Sequence, residues 1–238
     1  QARRPSGPEV SPELLARVMA DAETVQADNP DVVIVATGGL PHTDMLPHGN
    51  DLVVSAWDIL SGDVSPGRSV LIYDDAGDYA ALQAAEKIAA TGAAVEIVTR
   101  DRGFASEVMA MSLTPSLRVL QKHDATFTIT WKLGAVRRDG NGLTAVLDSD
   151  YGAETRERAV DQVVVNAGTR PLDDLYFDLR PGSSNLGEVD YEALIAGQAQ
   201  GVAANPGGSY RLYRIGDAVA ARNTHAAIYD ALRLARTI

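Results

Sequence analysis

An α/β fold is predicted by three features of this 238-residue chain. Two apolar runs, residues 31–39 and 161–171, end in small residues, and a strand–helix–strand pattern lies between them. The two runs are rich in Val and Ile, which is typical of strands buried on both faces of a parallel sheet. The small residues at their ends, Ala-Thr-Gly-Gly and Ala-Gly-Thr-Arg-Pro, allow a backbone to lie close to a cofactor or to cross into another domain.

The strand–helix–strand pattern has the length of a Rossmann βαβ unit. Residues 68–75 form an apolar strand with an acidic end, residues 80–92 form a helix that Gly92 terminates, and residues 94–100 form the next strand. The connecting loop lacks the G-x-G-x-x-G pattern. The expected glycines fall at Ala76, Asp78 and Ala81.

The loop of Ala76, Gly77, Asp78 and Tyr79 is the candidate NAD(P)-like loop, and its charge opposes that role. Asp78 places a carboxylate where a pyrophosphate would lie, and two more aspartates precede it. Like charges held close together cost on the order of 1 kcal/mol or more. Arg100 offers a 2′-phosphate contact of the kind found in NADP sites, or is a solvated loop residue. We therefore expect little or no NAD(P)H binding and a retained structural domain, with functional NAD(P)H binding as the alternative.

A third signal lies near the C-terminus, where a short strand pattern, residues 212–215, ends in Gly216-Asp217. An apolar-periodic helix follows, with Thr224 as the predicted N-cap. An Asp between a strand and a helix is commonly only a turn or cap residue. His225 lies one residue beyond the cap, where its side chain could face a cofactor.

In their order along the chain, the three motifs Ala-Thr-Gly-Gly, Ala-Gly-Thr-Arg-Pro and Gly-Asp resemble those of the two-dinucleotide-domain flavoprotein reductases. The resemblance implies a partial FAD-type, three-layer ββα domain, residues 1–41 and 159–238, with an inserted Rossmann-like NAD(P)-type domain, residues 42–158. It further implies cofactor-binding residues in the three motifs. These are Thr37, Gly38, Gly39, Gly168, Thr169, Arg170, Gly216, Asp217, Thr224, His225 and Ala226.

A narrower resemblance rests on residues 73–79, Tyr-Asp-Asp-Ala-Gly-Asp-Tyr, together with residues 85–92 and 95–99. These segments are similar to the C-terminal half of trimethylamine dehydrogenase and its relatives, which include dimethylamine and histamine dehydrogenases, N-methyl amino acid demethylases and 2,4-dienoyl-CoA reductases. The resemblance implies an FMN-bearing barrel like that of old yellow enzyme and a cysteine-ligated four-iron–four-sulfur cluster. Both would precede an FAD or ADP site and an NAD(P)-like domain.

The function that this resemblance implies is a nucleotide-binding, electron-transfer module of a multi-cofactor flavin oxidoreductase. The whole protein would oxidatively demethylate or dehydrogenate a methylated amine at FMN and pass electrons to an electron-transfer flavoprotein. Its expected partners are the N-terminal FMN barrel of the same protein and further copies in a homo-oligomer. We assign no catalytic residue to this chain and expect it, by itself, to be inactive. An NAD(P)H-dependent enoate or dienoyl-CoA-type reductase module and a non-catalytic assembly or docking module stay open as alternatives.

Composition narrows the classes of function further. The net charge of −11 opposes binding to a phosphate backbone, so no nucleic-acid partner is expected. The absence of cysteine excludes disulfides and thiolate-held clusters within this chain, and the four histidines show no metal-ligand spacing. No run approaches the roughly 20 apolar residues of a membrane helix, so we expect a soluble, cytoplasmic protein. Since no strand and Gly-rich turn precede residue 31, we also expect a C-terminal piece of a longer chain.

The remaining segments predict a helix from residue 11 to about 25, a second helix over residues 106–123 interrupted near Pro115, and a β-meander of residues 125–136, 142–147 and 155–159. Six apolar side chains in these and neighbouring segments are predicted to be core residues. They are Trp57, Val108, Met111, Leu117, Leu120 and Trp131. For the two tryptophans, burial at the domain junction and stacking on an adenine or flavin stay open as alternatives.

Overall fold

The computed structural model describes residues 20–238, which divide into two compact units. The first unit comprises the described residues up to Gly39 together with Pro171–Ile238, and the second comprises Leu40–Arg170. The helices are α1 (Ala22–Ala27), α2 (Ala56–Ser61), α3 (Tyr79–Ala89), α4 (Ala110–Lys122), α5 (Asp174–Leu179), α6 (Tyr191–Ala196) and α7 (Thr224–Ala235). The strands are β1 (Val32–Val35), β2 (Gly39–Pro41), β3 (Val53–Ser55), β4 (Ser69–Asp74), β5 (Ala94–Thr99), β6 (Thr126–Ile129), β7 (Trp131–Asp139), β8 (Gly142–Ser149), β9 (Thr155–Val160), β10 (Gln162–Asn166), β11 (Thr169–Pro171) and β12 (Arg211–Arg214).

The second unit is built on a five-stranded parallel sheet with the order β3-β10-β4-β5-β6. The predicted β4–α3–β5 unit is confirmed. Alternate residues of β4 pack into two different hydrophobic cores, one on each face of the parallel sheet. Val70 and Ile72 pack with helices α2 and α3, whereas Leu71 and Tyr73 pack with the antiparallel sheet β7-β8-β9. Helices, parallel sheet and antiparallel sheet therefore form three layers within this unit.

The boundary between the second unit and the C-terminal part of the first unit lies later in the chain than predicted, because strand β10 belongs to the second unit. Residues 159–170 were expected to belong with the C-terminal domain, but β10 lies between β3 and β4, with Val164 in register with Ile72. The boundary falls after Arg170 instead of residue 158. An apolar run identifies a buried strand without identifying the sheet it joins, because the pairing is a tertiary property.

The β-meander is confirmed for β7, β8 and β9, with one difference. Thr130 has a φ of 66° and divides the first predicted strand into β6, which joins the parallel sheet, and β7. The chain reverses between β7 and β8 at residues 139–142, where Gly140 adopts a φ of 56°. That left-handed conformation is one which glycine adopts without a steric penalty.

Helix α4 runs through Pro115 without a break, so the predicted interruption is wrong. Val108 and Leu120 are buried and Leu117 is partly buried, but Met111 is 88% exposed. Of the two tryptophans, Trp131 is buried, whereas Trp57 on α2 is 43% exposed and does not belong to the core.

The first unit contains a two-stranded parallel sheet of β1 and β12, with Val35 in register with Arg214. Its core includes Val35, Leu179 and Leu212. The predicted helix of residues 11–25 lies partly outside the described residues. Within them, α1 begins after Asp21, which is its N-cap and has extended backbone angles, so no helix continues through residue 21. Between residues 20 and 238, none of the helices has the length and apolar character needed to cross a bilayer.

Candidate functional sites

The first candidate site is the loop that follows β4 in the second unit. Strands β4 and β10 are neighbours, and the chain proceeds from β4 toward β5 on one side while β10 and β3 lie on the other. Ligands of open α/β sheets bind at the carboxyl ends of strands where the strand order reverses in this way. Here that position is occupied by residues 74–78 and by Asn166, the last residue of β10.

Asp74 is the buried carboxylate of this loop, with an exposure of 1%. Its Oδ1 accepts hydrogen bonds from the backbone N–H of Gly77 at 2.9 Å and from Nδ2 of Asn166 at 2.9 Å. Its Oδ2 has no hydrogen-bond partner among the described residues. Burial disfavours the charged form and raises the pKa of the Asp74 carboxyl from 3.8 to about 6.

Asp78 is the N-cap of α3, and its Oδ1 accepts from the backbone N–H of Ala80 at 2.9 Å. The same oxygen accepts from Nδ2 of Asn166 at 2.8 Å, so one amide group joins both carboxylates. A helix N-terminus attracts anions because its first N–H groups are unpaired and its dipole is positive there. In this loop a resident carboxylate already occupies that position.

The rest of the predicted NAD(P)-like loop is closed by contacts of its own. Gly77 has a φ of 67°, and a Cβ at that position would lie 2.5 Å from Oγ of Ser106. Ala76 donates its backbone N–H to the Asn166 carbonyl at 3.1 Å, and Tyr79 begins α3 with a side chain that is 39% exposed.

Arg100, the candidate 2′-phosphate ligand, pairs with Asp150 at 3.1 Å, and Lys132 pairs with the same carboxylate at 2.9 Å. Asp150 raises the pKa of the Arg100 guanidinium. Both partners are partly exposed, so the pair contributes little to stability. A 2′-phosphate would nevertheless have to compete with Asp150 for this cation.

We expect NADPH to bind the protein weakly, with a dissociation constant above about 1 mM, because the carboxylates repel its pyrophosphate. Asp78→Gly should raise the affinity about tenfold, since it removes one charge while glycine at an N-cap costs only a few tenths of a kcal/mol. Isothermal titration calorimetry measures both values. Asp190→Gly is the matched control, because Asp190 caps α6 through the N–H of Ala193 at 2.9 Å. A wild-type dissociation constant in the low micromolar range would contradict the expectation.

The second candidate site lies in the first unit, at the carboxyl ends of β1 and β12. The two strands are parallel neighbours, and the N–H of Ile215 donates to the carbonyl of Val35 at 3.0 Å. The turns that follow them, at Thr37-Gly38 and at Gly216-Asp217, therefore leave the same edge of the sheet. Gly38 has a φ of 74°, and no atom lies within 4 Å of a Cβ built there, so the surface above it is open.

The turn after β12 is a 3-10 turn, Gly216–Ala218, that packs against α7. A Cβ on Gly216 would lie 3.3 Å from Cβ of Ala227. Oδ1 of Asp217 accepts from the N–H of Arg222 at 3.3 Å, a contact that spans the loop before α7. Asp217 therefore combines a loop contact with a position at the sheet edge.

Helix α7 begins one residue earlier than predicted, because its N-cap is Asn223 and Thr224 is its first helical residue. Asn223 has extended backbone angles, and its Oδ1 accepts from the N–H of Ala226 at 2.9 Å. Thr224 and His225 are exposed in the first turn. The first N–H groups of a helix have no intrahelical partner and suit an anionic group.

The other predicted cofactor residues lie elsewhere in the chain. Gly39 is the first residue of β2 and Thr169 the first of β11, and these two short strands pair with each other. Gly168 has a φ of 79° and open space at its Cβ position, while Nη2 of Arg170 lies 2.8 Å from Nε2 of His42 in the second unit. The structure brings Thr37 and Gly38 together with Gly216 and Asp217. A cofactor-binding role for all eleven residues stays a prediction.

Sequence reasoning missed the residues that organise the two sites. Asn166 was visible as the polar end of an apolar strand, Val-Val-Val-Asn, and its pairing with two aspartates required the sheet order. Asn223 was missed as the N-cap of α7 because Asn is as good a capping residue as Thr, and the neighbouring Thr224 was predicted instead. Asp173 and Arg214, which form an ion pair, gave no local signal because they are 41 positions apart.

The chain is similar to the probable N-methylproline demethylase of Rhizobium meliloti (strain 1021), with 64% identity over 219 residues that cover 92% of this chain and 32% of that protein. It is 43% identical over 228 residues to the N,N-dimethylglycine/sarcosine dehydrogenase of Chromohalobacter salexigens, covering 91% of this chain and 33% of that protein. The chain therefore spans about a third of the length of these relatives. Both relatives are named for enzymes that act on N-methylated amino acids.

Among solved structures, histamine dehydrogenase from Rhizobium sp. 4-9 matches with a TM-score of 0.72 and 21% identity, over 92% of this chain and 32% of that one. At this identity the match shows a shared fold. No protein-family model matches the chain.

Proposed function

We propose that the chain is the nucleotide-binding, electron-transfer module of a multi-cofactor flavin oxidoreductase that oxidises N-methylated amino acids. The identity of 64% to a probable N-methylproline demethylase supports the substrate class. The second relative is named for N,N-dimethylglycine and sarcosine. All three compounds carry an N-methyl group and a carboxylate, so the proposed reaction is oxidative N-demethylation.

The proposed nucleotide is FAD or ADP, bound in the first unit, and the observation that carries this proposal is the shared sheet edge of β1 and β12. The open surface at Gly38 allows close approach to the backbone, and the first turn of α7 offers N–H groups for a pyrophosphate. Asp217 is suited to accept hydrogen bonds from sugar hydroxyls. When bound, the flavin would supply the electron-transfer chemistry, while these residues bind and orient it. FMN and the four-iron–four-sulfur cluster belong, in this proposal, to polypeptide outside this chain, which has no cysteine.

In this proposed function, the second unit is a Rossmann-like NAD(P)-type domain inserted into the partial FAD-type domain, and it binds no nucleotide of its own. Asp74 and Asp78 fill the position of a pyrophosphate, and Arg100 is paired with Asp150. Electrons would therefore leave to a protein acceptor such as an electron-transfer flavoprotein, without passing through NAD(P). A cytoplasmic homo-oligomer is part of the same proposal.

Anaerobic reduction of the full-length protein tests the function directly. N-methylproline or sarcosine should bleach the flavin absorbance, whereas NADPH should not, and nucleotide released by denaturation should contain FAD or ADP. Reduction by NADPH alone would favour an enoate or dienoyl-CoA-type reductase. Release of no adenine nucleotide would favour a non-catalytic docking module.

Asp217→Ala in the full-length protein should reduce FAD or ADP occupancy while the melting temperature of the nucleotide-free protein changes little. The carboxylate is expected to contact the cofactor, and its loop contact to Arg222, at 3.3 Å, is long for a hydrogen bond. Nucleotide content per protein and thermal unfolding measure the two quantities. Asp21→Ala is the control, because Asp21 caps α1 through the N–H of Thr24 at 2.8 Å and its loss should lower the melting temperature without changing occupancy. If Asp217→Ala lowers the stability and leaves the nucleotide occupancy unchanged, Asp217 stabilises the turn and does not bind the cofactor.

A further inference from the structure

Arg214, the last residue of β12, connects the turn Gly216–Ala218 to the segment before α5. Its Nη1 donates to Oδ2 of Asp173 and, at 3.3 Å, to the carbonyl of Ala218. The guanidinium lies over the rings of two aromatic residues of α5, at 4.7 Å from the centroid of Tyr176 and 5.4 Å from that of Phe177. The charged group is thus fixed by an ion pair, a backbone carbonyl and two aromatic faces.

The same segment is also attached to the turn that follows β1. Oγ1 of Thr37 donates to the carbonyl of Leu172, and the N–H of Leu172 donates to the carbonyl of Gly38 at 3.0 Å. Leu172 adjoins Asp173 in the chain. Residues 172–173 are therefore bonded on one side to the Thr37-Gly38 turn and on the other, through Arg214, to the Gly216–Ala218 turn.

We propose that Arg214, with Asp173, is the positioning residue of the first unit, and that it fixes the two turns at the spacing which an adenosine diphosphate moiety requires. The inference rests on the proposed nucleotide site. Arg214 itself does not contact the ligand in this account. It acts through the backbone carbonyl of Ala218 and through the side chain of Asp173. In the ion pair, the side chain of Arg214 is 27% exposed and that of Asp173 is 24% exposed.

An arginine suits this role better than a lysine. A planar guanidinium stacks on aromatic rings and donates to two acceptors at fixed angles, whereas a lysine ammonium is a point charge on a flexible stem. Arg214→Lys therefore keeps the charge opposite Asp173 and loses the stacking and the second bond. Arg214→Met keeps most of the apolar volume and loses every polar contact.

The test measures ADP and FAD binding by calorimetry to nucleotide-stripped full-length protein, at a temperature where every variant is folded. Arg214→Met should bind ADP about tenfold more weakly than wild type, and Arg214→Lys should lie between them. Binding by FAD but not by free ADP would identify the dinucleotide as the source of the moiety. Asp173→Asn should weaken binding in the same direction, and combining it with Arg214→Met should add little, because both remove one connection.

Arg233→Met is the matched control. Arg233 also lies over an aromatic ring, at 5.1 Å from the centroid of Tyr229, but it is in the last turn of α7, and within residues 20–238 its side chain forms no hydrogen bond or ion pair with either turn. Affinity of Arg214→Met within twofold of wild type would overturn the inference, and if that variant does not fold, Arg214→Lys decides by the same criterion. Wild-type protein that binds neither ADP nor FAD would instead remove the proposed site itself.

Discussion

Asn166→Asp should destabilise the protein by about 3 to 5 kcal/mol at pH 7.5, the largest effect expected of any substitution in the candidate sites. The side chain is 6% exposed, and its amide donates to Asp74 at 2.9 Å and to Asp78 at 2.8 Å. Replacing that donor with a third carboxylate removes both bonds and brings three like charges together. At 4 Å and an effective dielectric constant of about 20, each such pair costs roughly 4 kcal/mol unless one group is protonated. Thermal unfolding should show a decrease of roughly 10 °C.

Asn166→Ala separates the charge from the lost hydrogen bonds. It removes the same donor and adds no carboxylate, so it should destabilise the protein less than Asn166→Asp at pH 7.5. The difference between the two variants should shrink toward pH 5, because protonation of one carboxyl restores a donor and removes a charge. Equal stability of the two variants at pH 7.5 would show that the aspartates are compensated by a group outside this chain.

The middle of the fold was predictable because its signals are local. The apolar strands β4 and β5, the amphipathic helix α3 and the turn at Gly92 depend on patterns of a few residues, and each occurs within a few residues of its predicted position. The helix cap at Asn223 was displaced by one residue, since Asn and Thr are both capping residues and only backbone angles distinguish them.

The pairing of distant segments was not predictable. Strand β10 was recognised as a strand and assigned to the wrong unit, because its apolar residues suit any parallel sheet. For the same reason the joint role of Asn166 and the two aspartates was missed, although all three were visible as polar residues at element ends. The prediction that Met111 and Trp57 are core residues was wrong for a different reason, since an apolar side chain can be exposed on the surface of a helix.

The negative charge of the loop after β4 is evident from the sequence, and the structure shows which contacts hold its two aspartates. Asp78 is retained as a helix cap and Asp74 as the acceptor of two N–H groups, so each carboxylate has a structural role in the second unit. In the proposed function, a loop that closes with its own carboxylates keeps the βαβ architecture without a nucleotide. These roles would explain how the fold of a dinucleotide-binding unit and the expected weak NADPH binding can occur in the same segment.

Asp74→Asn should change the pH dependence of stability more than any other single neutralisation in this loop. The pKa of Asp74 is raised in the folded state from 3.8 to about 6, so its contribution to stability is complete below about pH 4 and is lost as the pH rises through about 6. Asparagine does not titrate, so the stability of Asp74→Asn does not fall in this way as the pH rises. The free energy of unfolding of Asp74→Asn, relative to wild type, should therefore be about 2 kcal/mol more favourable at pH 7.5 than at pH 4.5.

Urea unfolding of both proteins at the two pH values measures this difference, and any constant effect of packing the amide cancels in it. Asp75→Asn, at the exposed neighbouring position, controls for the loss of one negative charge. A difference that does not vary with pH would mean that Oδ2 of Asp74, which has no partner among residues 20–238, is compensated by a cation or a donor from elsewhere in the full-length protein. If the variation is found, Asp74 is ionised at neutral pH without such a partner. Its charge then adds to that of Asp78 in opposing a pyrophosphate, and NADPH should bind less weakly near pH 5 than at pH 7.5.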